Sequence, residues 1–209
     1  MENPVTIPVN DVSIEGNLVV PKNPIGIVVF SHGSGSGRFS PRNNFVAEVL
    51  QKAQIATLLA DLLTLEEDEV YENRFDIDLL TDRLLSIIAW LKSQTQTKNL
   101  NIGLFGASTG AASALRAGAI LGQKIRAIVS RGGRPDLAME ELSKVSAPTL
   151  LIVGGEDDVV IKLNEEALEK LNTIKKLEII PGATHLFEEP GTLEEVALFA
   201  KEWFKQYLI

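Results

Sequence analysis

Short apolar runs recur along the 209 residues with helix-patterned stretches between them, and no other feature restricts the fold as much. Ile25 to Ser31, Ile55 to Asp61, Leu100 to Phe105, Ile125 to Ser130, Thr149 to Val153 and Leu177 to Ile180 are each short, apolar and poor in charge. Runs of that length, hydrophobic throughout rather than alternating, suit strands buried on both faces. Between them lie helical signals. Ser40-Pro41 offers an N-cap followed by proline at the first helical position, for a helix to about Gln51. Leu80, Leu84, Ile87, Ile88 and Leu91 share a face in 76–91. Further helices are expected over 108–121, 136–142 and 162–171, and from Thr192, with Glu195 as its capping-box partner, to about Tyr207. Residues 5–20 alternate apolar and polar and read as one or two edge strands. The pattern predicts an α/β fold: a mostly parallel, doubly wound sheet covered by helices on both faces. One domain over 1–209 is expected, with no internal repeat or linker. The roughly eighteen residues before Thr149 are too few for a cap domain.

Composition narrows the function. A formal net charge of −8 disfavours a general grip on nucleic acid or anionic lipid. No apolar run reaches the length of a membrane span, and the start of the chain lacks a secretory pattern, so a cytoplasmic protein is expected. Cysteine is absent, which removes disulfides, thiol nucleophiles and thiolate metal sites. The acidic block Glu66-Glu67-Asp68-Glu69 is read as a solvated loop rather than a metal site.

Gly106-Ala107-Ser108-Thr109-Gly110 carries the chemistry. It follows an apolar run and opens an alanine-rich stretch, the context of strand, sharp turn and helix. A serine on that turn projects its hydroxyl from the carboxyl edge of the sheet, but the hydroxyl needs a base. The chain has two histidines. His185, just past the last strand, falls on the same edge as Ser108 and is the expected base. His32 is read as a structural brace. The imidazole in turn needs a carboxylate, and Gly154-Gly155-Glu156-Asp157-Asp158 offers three; Asp157 is preferred, then Asp158, then Glu156. The order Ser, Asp, His is that of an α/β hydrolase. For the developing oxyanion, the backbone N–H of Thr109 and that of Ser34 are the expected donors, with Gly33 or Gly35 as alternatives to Ser34. Arg131 and Arg134, just past a strand end, are candidate binders of a substrate carboxylate or phosphate, or else internal braces. Arg38, Arg42 and Arg74 could border the same opening.

These stretches, with Phe30 to Gly37, Ser40 to Asn43, Ser130 to Asp136, Leu151 to Val160 and Pro181 to Phe187, resemble the α/β-hydrolase superfamily, and within it the dienelactone-hydrolase-like group, over nearly the whole chain. The resemblance implies a Ser108–Asp157–His185 triad, an oxyanion hole at Thr109 and the Ser34 loop, and ester or lactone hydrolysis with no metal or organic cofactor. Some members are joined to a phosphoribosyltransferase-like domain, so such a partner is also implied. True dienelactone hydrolases carry cysteine where this chain has Ser108, so their substrate does not transfer. The leading expectation is a serine hydrolase of a small carboxylic ester, lactone or thioester. The alternatives are a weakly active or non-catalytic module that binds an anion through Arg131 and Arg134, and an acyltransferase with the same triad.

Overall fold

In the computed structural model the described residues are 3–209. Eight strands form one sheet: β1 (Asn3–Val9), β2 (Val12–Val19), β3 (Gly26–Ser31), β4 (Ile55–Ala60), β5 (Ile102–Ala107), β6 (Ile125–Arg131), β7 (Thr149–Gly154) and β8 (Lys175–Ile180). Their spatial order is β1-β2-β4-β3-β5-β6-β7-β8. The β1–β2 hairpin and the β2–β4 pair are antiparallel, and every pair from β4 through β3 to β8 is parallel. The hairpin turns at Asn10, a residue that tolerates its φ of 51°. Strand order reverses at β3, and because β3 to β8 run parallel, the loops after them all leave the same edge.

Among the described residues there are six α-helices, α1 (Pro41–Lys52), α2 (Leu65–Glu69), α3 (Ile77–Ser93), α4 (Thr109–Leu121), α5 (Asp158–Lys170) and α6 (Thr192–Tyr207); α2 buries none of its residues, and the others cover the sheet. The central strands are apolar throughout because alternate residues feed two cores. Ile27 and Val29 of β3 pack with Leu84 and Ile87 of α3 and Leu115 of α4. Val28 and Phe30 pack on the opposite face with Leu50 of α1 and Phe204 of α6. Burying a side chain of this size is worth about 1.5–3 kcal/mol, so the alternation of layers fixes which face each helix covers. The connection from β6 to β7 carries only two 3-10 turns, Pro135–Ala138 and Leu142–Lys144, and no cap. Among the described residues no helix is long and apolar enough to cross a membrane.

Several helix ends differ from the sequence reading. Ser40 caps α1 as expected, its hydroxyl accepting from Asn43 N. The block read as a loop at 66–69 instead forms α2, closed by a capping box between Thr64 and Glu67. The helix expected over 136–142 is replaced by the two 3-10 turns, which press Ala138 and Leu142 into the core while Glu141 pairs with Arg116 at 3.2 Å. Helix α5 begins at Asp158, four residues ahead of the expected Lys162. Thr192 is not the cap of α6. Gly191, at φ 88°, takes that position, and the Thr192 hydroxyl donates to Glu189 O.

Candidate active site

The turn between β5 and α4 sets the geometry. Ser108 sits at φ 51°, ψ −123°, a conformation that costs a non-glycine residue roughly 1–3 kcal/mol. Its backbone is held from one side: Ser108 N donates to Arg131 O at 3.1 Å, and Ser108 O accepts from Arg134 N at 3.0 Å and from Ala111 N at 3.1 Å. Small neighbours are obligatory. A Cβ on Gly106 would lie 2.4 Å from Ala111 Cα, and one on Gly110 would lie 2.2 Å from Ser31 O. The result is a half-buried serine whose side chain makes no hydrogen bond among the described residues.

His185 lies in the loop after β8. Its Nδ1 is 2.7 Å from Asp157 Oδ2. With Asp157 ionised, Nδ1 carries the proton and Nε2 keeps its lone pair. Of the three carboxylates after β7, Asp157 is the one brought to the imidazole. Asp158 is the exposed first residue of α5, and Glu156 is anchored through its amide to Ala183 O at 3.0 Å. Asp157 is the backbone N-cap of α5, yet its carboxylate makes no capping bond and is left for the histidine. Residues 131–134 lie between the two halves of the site. Arg131 and Arg134 hold Ser108 through their backbones, and a Cβ on Gly132 would sit 3.4 Å from His185 Cε1.

The loop after β3 packs on the nucleophile's other side, where a Cβ on Gly33 would be 3.0 Å from Ser108 Cβ and 3.8 Å from its Oγ. Thr109, as the first residue of α4, has no intrahelical acceptor for its N–H. The Ser34 N–H is already engaged, donating to Thr109 Oγ1 at 3.0 Å. His32 braces this loop. Its Nδ1 faces Gly33 O at 2.9 Å and its Nε2 accepts from Leu62 N at 3.0 Å. Burial lowers its pKa below the usual histidine value, against the pull of the Gly33 carbonyl and of Asp61 and Asp68, so the ring is held neutral.

The arginines take unequal places. Arg134 closes its fork on Asp136 at 2.9 and 2.8 Å, and this pairing raises its pKa. Arg38 pairs with Asp61, Arg42 with Glu188 at 3.2 Å, and Arg74 with Asp68 at 2.8 Å. Arg131 is only 6% exposed. It donates to Asn43 Oδ1 at 3.2 Å and lies 5.8 Å from the Phe187 ring centroid; its Nε has no partner and it makes no ion pair among the described residues. Burial, with Arg42 nearby, lowers its pKa to about 10. Arg134 keeps Nη1 and a partly exposed side chain free of Asp136, whereas Arg131 is buried. Sequence reasoning passed over Asn43 and the Thr109 hydroxyl. The Thr109 hydroxyl was visible as a side chain inside the serine motif, whereas no local signal ties Asn43 to Arg131, 88 residues away.

A cavity of about 700 Å³ opens between the β1–β2 turn, the 36–39 loop and the segment from Asp61 to Asp68, and neither Ser108 nor His185 lines it. His32 lines it and also lines a narrow recess along Gly33 to Gly35. Phe39, Leu63 and Leu65 give it apolar walls, and Asp11, Glu15 and Glu66 give it a negative rim.

The sheet order and the serine at a strained strand-to-helix turn are those of the α/β hydrolases. Residues 14–208 match the dienelactone hydrolase family, and the chain belongs to it. It is 55% identical to a crystal structure of a dienelactone hydrolase from Anabaena variabilis, covering 100% of this chain and 99% of that one, with a TM-score of 0.97. Est1E from Butyrivibrio proteoclasticus shares the fold at 18% identity, a TM-score of 0.84 and coverage of 97% and 98% of the two chains. Two curated Mycobacterium tuberculosis proteins, each named as a phosphoribosyl transferase, are 55% identical over 204 residues. That alignment covers 98% of this chain but 46% of each relative, so the chain spans about half the length of the curated relatives it matches.

Proposed function

We propose that this protein is a serine hydrolase of a small carboxylic ester, lactone or thioester, acting through an acyl-enzyme on Ser108. The observation that carries the reading is the pairing of His185 Nδ1 with Asp157 Oδ2 at 2.7 Å on the sheet edge that also presents the strained Ser108. In this mechanism Ser108 Oγ attacks the carbonyl carbon while His185 Nε2 takes its proton. Asp157 fixes the tautomer and stabilises the imidazolium. The orphan N–H of Thr109 meets the oxyanion. His185 then protonates the leaving group and activates water to release the acyl group.

The arginines support an uncharged substrate over an anionic one. Arg38, Arg42, Arg74 and Arg134 are each matched with a carboxylate, and Arg131 is covered. The same arrangement serves acyl transfer to an alcohol or amine, and competition between water and added alcohol separates the two. A fused phosphoribosyltransferase-like domain would account for the greater length of the curated relatives, and such a domain, fused or separate, would be a partner of this chain.

The test is turnover of p-nitrophenyl acetate and labelling by a fluorophosphonate, with the labelled residue located by mass spectrometry. Wild type should turn over and label at Ser108, and Ser108→Ala should do neither. Folded wild type that neither hydrolyses nor labels rules the reading out.

A further inference from the structure

We propose that the side-chain hydroxyl of Thr109 is itself an oxyanion donor, and that the Ser34 amide acts on the oxyanion through it rather than directly. The inference rests on the serine-nucleophile reading and adds a catalytic residue to it.

The starting point is a buried proton with no acceptor. Thr109 is 3% exposed. Its Oγ1 accepts from Ser34 N at 3.0 Å, and among the described residues its own O–H has no acceptor. A threonine inside a helix commonly donates to the carbonyl four residues back, as Thr81 does to Ile77 O at 2.6 Å. Thr109 cannot, because it is the first residue of α4 and the residue four back, Phe105, lies in β5. A buried hydroxyl left without an acceptor is unfavourable, so its proton is available to an oxygen bound there.

Turned toward the nucleophile, the proton would meet the oxyanion of the reaction. Thr109 follows Ser108, and its hydroxyl is bonded to Ser34, in the segment whose Gly33 packs against Ser108. A hydroxyl that accepts from one N–H is a stronger donor through its own O–H. Ser34 N–H, Thr109 O–H and the oxyanion therefore form a chain. The structure's use of the Ser34 amide, which conflicts with a direct oxyanion contact, becomes part of the hole.

The step balances. Ser108 Oγ bonds to the carbonyl carbon as its proton passes to His185 Nε2. The carbonyl π pair moves onto oxygen, which accepts from Thr109 N–H and Thr109 Oγ1–H. Collapse restores the double bond and breaks the bond to the leaving group, which takes the proton from His185. Water repeats the sequence on the acyl-enzyme, and the Thr109 proton is never transferred.

Thr109→Val keeps shape and removes the hydroxyl, and Thr109→Ser keeps the hydroxyl. With p-nitrophenyl acetate, valine should lower kcat about 10- to 100-fold with KM within about twofold, and serine should stay within about threefold of wild type. Affinity for a boronic acid, which presents a tetrahedral oxyanion on Ser108, should fall in parallel with kcat for the valine variant. Thr109→Ala, with no bulk to distort the turn, should repeat that loss. Valine and alanine variants that match wild type, or a serine variant as slow as valine, overturn the inference while leaving Ser108 labelling and the parent reading intact. Wild type that does not label at Ser108 overturns both.

Discussion

The amide of Ser108 donates to the carbonyl of Arg131 at 3.1 Å, joining the turn after β5 to the end of β6. With the returning bond from Arg134 N to Ser108 O at 3.0 Å, the segment from Arg131 to Arg134 acts on the nucleophile through its backbone. Its side chains are occupied elsewhere, one on Asn43 and one on Asp136. Charged side chains after a β-strand suggest ligand contact in sequence. Here their first effect is to hold a strained turn in place.

That strain is measurable. At φ 51°, ψ −123° glycine is at ease and any residue with a Cβ is not. Ser108→Gly should raise the free energy of unfolding in urea by about 1 kcal/mol, and Ser108→Ala, which keeps the Cβ, should change it little. Both should abolish labelling. Equal stability of the two variants would show that the turn is unstrained.

The acidic loop after β7 separates the roles of neighbouring carboxylates. Asp157→Asn should lower kcat on the order of 10³- to 10⁴-fold, because the amide no longer selects the tautomer with Nε2 free. Asp158→Asn touches only the first turn of α5, so it should leave kcat unchanged and cost about 0.3–1 kcal/mol through the helix dipole. Steady-state kinetics and urea melts on the two proteins check both, and the reverse ranking would move the assignment to Asp158.

Much of this arrangement was legible in the sequence, for identifiable reasons. The apolar runs that became β3 to β7 are buried central strands, whereas Leu177 to Ile180, read the same way, is the largely uncovered edge strand β8, and the turn at Ser108 announced itself through glycines that the packing requires. What escaped was set by contacts distant in sequence. Asp157 was preferred over Asp158 from the sequence, but only the path of the loop after β8 pairs one of them with His185. Arg131 read as either a substrate contact or an internal brace, because nothing local shows that it is buried and bonded to Asn43. The capping box of α2 was present as Thr64 and Glu67, but the charge of the block drew attention to solvation instead. At Thr192 the same motif misled, since Gly191 in a left-handed conformation moved the cap by one residue.

Arg131 should lower stability at neutral pH. A buried cation without an anion keeps its proton at a cost, here a pKa lowered to about 10. Arg131→Met preserves length and packing on Phe187 and removes the charge. It should unfold at higher urea, with a gain of about 1–2 kcal/mol after loss of the bond to Asn43. A large loss instead would mean that the guanidinium is better compensated than its contacts with Asn43 and Phe187 suggest.

His32 should make stability depend on pH. The folded state holds it neutral, since Nε2 must accept from Leu62 N and burial lowers its pKa below the unfolded value of 6.5. Between those two values the unfolded chain binds more protons than the folded one, so unfolding becomes easier as pH falls. The contribution of His32 is complete above about 6.5, declines as pH drops toward the folded pKa and is absent below it. His32→Gln can still accept from Leu62 N but does not titrate. At pH 7.5 it should be less stable than wild type by about 1–2 kcal/mol, through loss of the second bond, to Gly33 O. At pH 5 the gap should narrow, because only wild type has lost stability to protonation of this ring. Urea unfolding curves at the two pH values decide the matter: parallel pH dependences in the two proteins would show that His32 is not the group whose protonation loosens the loop beside Ser108.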